Sequence, residues 1–89
     1  RNKLTSLEGS PKYVDGNFYC PYNGIQSLES GPIEVGGNFY CYYNVLESLE
    51  GAPKEVGGNF NCRNNEEEFT EEDVRAVSNV KGEIAVWLN

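Results

Sequence analysis

One interval governs this sequence: its residues recur every 21 positions. Cys20, Cys41 and Cys62 keep that step, as do Pro11, Pro32 and Pro53, Val14, Val35 and Val56, and Phe18, Phe39 and Phe60. Leu4, Ile25 and Leu46 follow it, with Leu7, Leu28 and Leu49 and with Ser6, Ser27 and Ser48. Asn2, Asn23, Asn44 and Asn65 add a fourth occurrence. So many columns in register define a tandem array, which constrains the fold before anything else does. Each unit reads approximately N-x-L-x-S-L-E-x-x-P-x-x-V-G-G-N-F-Y-C-x-x. Phe39 and Cys41 alternate with Asn38, Tyr40 and Tyr42, the period of a strand. The Gly36-Gly37 pair before it suits a turn tolerant of positive φ, and Pro32 stops any helix upstream. A 21-residue unit of strand, turn and short extended piece cannot bury its own apolar face, so three such units must stack.

Phe18-Tyr19-Cys20-Pro21-Tyr22-Asn23-Gly24-Ile25, and again Phe39 to Leu46, match the L-x-L-x-x-N-x-L core of a repeat, with Phe and Cys in the first two Leu places. Over residues 2–65 the chain thereby resembles leucine-rich-repeat proteins of the short type found in tailed phages and some bacteria. It is similar, more distantly, to receptor-L-domain repeats. The resemblance implies a β-rich solenoid with a parallel sheet, and a role in binding other macromolecules. One departure is that the usual upstream Leu is replaced by Val14, Val35 or Val56, four residues before the strand's first apolar residue. An extended turn is therefore expected on the convex side in place of a helix.

The inward columns are Phe18/39/60, Cys20/41/62, Val14/35/56, Ile25/Leu46 and Leu28/49. Cysteine in such a column is a small buried hydrophobe. An odd count and a parallel stack disfavour disulfides, so reduced thiols and a reducing, cytoplasmic setting are expected. The Asn2/23/44/65 column is expected to form an amide ladder of the scaffold. The outward positions read Asn17/Asn38/Asn59, Tyr19/Tyr40/Asn61, Pro21/Tyr42/Arg63 and Tyr22/Tyr43/Asn64. Tyr and Arg are favoured in interface hot spots. Candidate partner-binding residues are therefore Asn17, Tyr19, Tyr22, Asn38, Tyr40, Tyr42, Tyr43, Asn59 and Arg63, with Tyr40 and Tyr42 foremost. Stacked tyrosines that merely stabilise the sheet are the plainer reading of the same columns.

After Asn65 the period lapses, which divides the chain into a repeat solenoid, 1–65, and a C-terminal helix-strand cap, 66–89. Thr70 and Asp73 form a capping-box pair for a helix ending near residue 79, with Val74, Val77 and Val80 facing the last coil. Lys81-Gly82 turns the chain into a strand carrying Ile84, Val86 and Leu88 opposite Ala85 and Trp87. At the other end the chain enters partway through a unit without a Met. An exposed edge is expected at Leu4, Leu7 and the Phe18 strand, left by removal of earlier repeats or covered by a second copy.

The full chain has 89 residues, 14 acids against 7 bases, and no histidine. The net charge of −7 argues against nonspecific nucleic-acid binding and against anionic membranes. No apolar run approaches the ~20 residues of a membrane span. Without histidine there is no His-based acid/base pair, and no base is placed to activate a nucleophile. Glu29 and Glu50, the available carboxylate pair, recur as scaffold positions do. No catalytic residue, metal site or cofactor is expected. Residues 66–89 carry net −5 and residues 1–65 net −2, so the acids Glu66 to Asp73 offer an alternative working surface: an acidic inhibitor imitating nucleic acid. A protein partner met by the Tyr/Asn face is the favoured reading.

Overall fold

The computed structural model describes residues 6–20 and 24–86. Each unit contributes two extended legs, two residues long, separated by the glycine-containing turn. In chain order these are β1 (Tyr13–Val14) and β2 (Phe18–Tyr19), β3 (Glu34–Val35) and β4 (Phe39–Tyr40), then β5 (Glu55–Val56) and β6 (Phe60–Asn61). Helix α1 (Glu71–Val77), β7 (Asn79–Val80) and β8 (Ile84–Ala85) complete the chain. Like legs pair in parallel, giving two sheets ordered β1-β3-β5-β7 and β2-β4-β6-β8. Phe18 lies on Phe39, Phe39 on Phe60 and Phe60 on Ile84. A third side closes each coil through Val45 N–H to the Ile25 carbonyl (3.0 Å) and Glu67 N–H to the Leu46 carbonyl (3.2 Å). The chain is a parallel β-solenoid. Its convex side is extended within the repeats, as the Val substitution implied.

Burial follows the inward columns. Phe39, Phe60, Ile25, Leu28, Leu46, Val35, Val56 and Cys41 are sealed from solvent, and each large one contributes roughly 2 kcal/mol of transfer free energy. Phenylalanine rings succeed one another along the axis, stacked with centroids 5.6 Å apart for Phe18–Phe39 and tilted by 45° at 5.1 Å for Phe39–Phe60. At the first coil Phe18 and Val14 are only partly covered. Leu7, expected at an exposed edge, is instead buried at 3% exposure within the core cluster. Asn2, Leu4, Pro21, Tyr22, Asn23, Trp87 and Leu88 lie outside the described residues.

The paired glycines do a different job from the one the sequence suggested. None of them has positive φ. They are small because the coil beneath comes too close for a side chain. A Cβ on Gly37 would meet Asn17 Oδ1, and on Gly58 it would meet Asn38 Oδ1. The left-handed residues are elsewhere: Gly9, Ser30 and Gly51 in one column, Tyr43 and Asn64 in another.

The period ends after Asn65, but the coil does not. β7 and β8 extend both sheets by one strand each, in register with β5 and β6. The last coil is longer by three residues, Asn79 lying on Glu55, 24 positions before it. Its convex side is α1, capped by Thr70 and Asp73 in a reciprocal capping box. The helix stops at Val77 with Ser78 as C-cap, two residues short of the expected end, because Asn79 is claimed by the sheet. Val74 is fully buried, whereas Val77 is 39% exposed at the rim, beside Leu49 and Phe69. The final strand is Ile84–Ala85.

Candidate protein-binding face

The aromatic residues sit on the outer surface of the β2-β4-β6-β8 sheet and on the turn that leaves it. Tyr19 on β2 stacks on Tyr40 of β4, ring centroids 4.6 Å apart and 20° from parallel. Tyr40 meets Tyr42 edge-on at 6.1 Å, and Tyr42 meets Tyr43 edge-on at 6.0 Å. The Arg63 guanidinium lies 5.4 Å from the Tyr42 ring centroid, a cation–π pair. Five of the nine candidate residues thus form one connected surface patch. Tyr19 is its most open member at 62% exposure, Tyr43 is exposed, and Tyr40, Tyr42 and Arg63 are half-buried.

Tyr43 is held in that patch by its backbone. Its φ of 56° is left-handed, and Asn64 one coil later has the same value. The turn must reverse the chain toward the buried Asn column, and Tyr43 bears a strain cost of about 1 kcal/mol that Asn64 bears more easily.

The asparagine candidates behave differently. Asn17 Oδ1 accepts from Asn38 N–H (2.8 Å), Asn38 Oδ1 from Asn59 N–H (2.7 Å), and Asn59 Oδ1 from Glu83 N–H (2.8 Å). Asn38 Nδ2 also donates to the Tyr40 hydroxyl (2.9 Å). Their oxygens thus tie coil to coil, while the tyrosine rings and Arg63 lie over the same face. The repeat had signalled a structural column here as plainly as it did for the inner asparagines.

Those inner asparagines form the expected ladder. Asn44 Nδ2 donates to the Cys20 and Cys41 carbonyls, and its Oδ1 accepts from Ile25 N–H. Asn65 repeats this with the Cys41 and Cys62 carbonyls and Leu46 N–H. Each satisfies several buried backbone groups that would otherwise cost about 1–3 kcal/mol apiece.

Cys20, Cys41 and Cys62 are free thiols buried in the core. Burial pushes the Cys20 thiol up to about 12 and does the same for Cys62, with the nearby Asp73 carboxylate adding to the latter. Cys41 is raised well above its ordinary value, first by burial and then by its two neighbouring thiols. Such thiols are poor nucleophiles and poor metal ligands. Among the described residues no group of three or more Cys, Asp and Glu side chains is placed to hold a metal ion. No described helix is long and apolar enough to cross a membrane.

Two features escaped the sequence reading. Tyr13, 66% exposed, stands in the column of Glu34 and Glu55 on the other sheet, and its signal was an aromatic residue in a charged column. A second surface places Leu49, Phe69 and Val77 among Glu47, Glu50, Glu67, Glu68 and Asp73. Its apolar floor was hidden because Val77 had been assigned to the core. Comparison with protein-family models, with curated proteins and with solved structures gives no match to this chain.

Proposed function

We propose that the chain is a non-enzymatic interaction module of the leucine-rich-repeat kind, similar to the short phage and bacterial type. In this reading it grips a protein partner through Tyr19, Tyr40, Tyr42, Tyr43 and Arg63. The observation that carries it is the unbroken run of ring contacts from Tyr19 to Tyr43, with Arg63 held against Tyr42. Rings already packed on one another lose little side-chain freedom when a partner covers them, which favours tight association. The buried Asn44 and Asn65 ladder supports the kinship with leucine-rich repeats.

The test is capture of partners from a host lysate on immobilised protein. Tyr40→Ala combined with Tyr42→Ala is expected to weaken retention at least about 30-fold, while circular dichroism stays that of the parent. The second reading, an acidic inhibitor acting through the C-terminal end, draws on the apolar Leu49, Phe69 and Val77 floor within its ring of acids. Retention that survives the tyrosine changes but fails after Glu66, Glu67 and Glu68 are each changed to Gln would move the function to that end.

A further inference from the structure

On the helical side of the last two coils, a small apolar surface lies inside a border of carboxylates. Leu49 of the third coil and Phe69 and Val77 of the last form its floor. Leu49 and Phe69 are nearly covered, so Val77 is the part that water reaches most. Glu47 and Glu50 border the floor from the third coil, Glu67 and Glu68 from the last. The depression is shallow and holds about 460 Å³, within the range of ligand-sized clefts.

The period does not call for these residues. Counted by the 21-residue step, the column of Gln26 turns acidic at Glu47 and Glu68, and Glu67 follows the inward Ile25 and Leu46. Phe69 stands where Ser27 and Ser48 accept from the amides of Glu29 and Glu50. Scaffold residues recur from coil to coil, whereas these departures meet at one place. Among the described residues no Lys or Arg pairs with Glu47, Glu50, Glu67 or Glu68; the ion pair there joins Arg75 to Glu71. Asp73, on the same border, engages its carboxylate with the Thr70 amide. Like charges held around an apolar floor leave a negative potential that only an incoming cation relieves.

Both walls of the depression belong to coils already present, and further coils add along the axis, so lengthening the stack at either end leaves this surface open. A second copy would bring the same acids and a net charge of −7. Residues 87–89, Trp-Leu-Asn, contain no cation. We propose that this surface docks a short cationic segment of a partner protein. An apolar side chain of that segment covers Val77 and Leu49, and flanking Lys or Arg side chains meet Glu47, Glu50, Glu67 and Glu68. The site shares no residue with the tyrosine patch. It shares its acids with the inhibitor reading but requires no likeness to nucleic acid.

Isotope-labelled protein titrated with acetyl-Lys-Arg-Leu-Phe-Lys-Arg-amide tests the proposal. Saturable shifts are expected at the Val77 and Leu49 methyl groups, with affinity falling as salt rises. Glu47→Gln, Glu67→Gln and Glu68→Gln together are expected to weaken binding about tenfold. Val77→Ser, at an exposed position, is expected to weaken it severalfold with circular dichroism unchanged. Tyr40→Ala with Tyr42→Ala is expected to leave it intact, which separates this site from the tyrosine reading. The proposal is overturned by methyl groups unmoved by the peptide, or by equal shifts from spermine or from a control peptide with Ser-Ser in place of Leu-Phe. Binding that is lost in the tyrosine variant and kept in the glutamine variant overturns it as well.

Discussion

Ser30 occupies a column that its neighbours fill with glycine. Gly9 and Gly51 have φ of 91° and 89°, and Ser30 is held at 71° by the same turn. A side chain there costs about 1 kcal/mol relative to glycine. Ser30→Gly should therefore raise stability by roughly that amount, and urea denaturation will show it as a higher midpoint at unchanged slope. The thiols give a second expectation. Cys20 and Cys62 ionise near 12 in the folded chain but near 9.0 when exposed. Below pH 9 both states keep these protons and stability is indifferent to them. Between about 9 and 12 the unfolded chain alone releases them, so stability falls as pH rises, by up to about 1.4 kcal/mol per pH unit for each thiol. Denaturation midpoints of Cys20→Ala and the parent, compared at pH 8 and 10.5, will read the loss. These thiols, like the inner asparagines, were legible because a residue repeated at every turn must do the same job at every turn. The angle at Tyr43 was not legible, since Tyr22 and Tyr43 advertise an aromatic column and conceal the left-handed turn.

Among the elements, α1 shows how much a short helix owes to its ends. Seven residues cannot sustain a helix by propensity. The reciprocal bonds of Thr70 and Asp73, with Glu71 and Glu72 in the first turn, fix its start. Thr70→Ala should cost about 1 kcal/mol, with amide exchange accelerating over Glu71–Val77 before it does in β4 or β5. The capping box could be read directly from the sequence. The strand that follows could not. Asn79–Val80 is two residues long, too short to show a period, and nothing local distinguishes it from the frayed end of a helix. Its pairing with β5 decides the matter, through Lys81 N–H on Val56 O and Asn79 Nδ2 on Glu55.

For the molecule as a whole, stability is a sum over junctions between adjacent coils, and the glycine column is where two coils come closest. Gly58→Ala would thrust a methyl group into Asn38 Oδ1 and the Gly37 carbonyl. It should cost at least about 2 kcal/mol and uncouple the third coil from the second. Gly16→Ala, the same change in the first coil, meets no described atom within 4 Å and should be silent in a thermal melt. The two substitutions are indistinguishable in the repeat pattern; the difference lies in what sits beneath them. A related consequence concerns insertions. Every coil takes its register from the one below, and the last coil takes up its three extra residues on its helical side, so added length is tolerated where both sheets keep their pairing. Duplicating residues 24–44 in place inserts 21 residues and should lengthen the particle by about 4.8 Å, visible in small-angle scattering, with the melt kept or raised. A single residue inserted within β4 (Phe39–Tyr40) would instead turn Cys41 away from the core, and the protein should then melt at a markedly lower temperature.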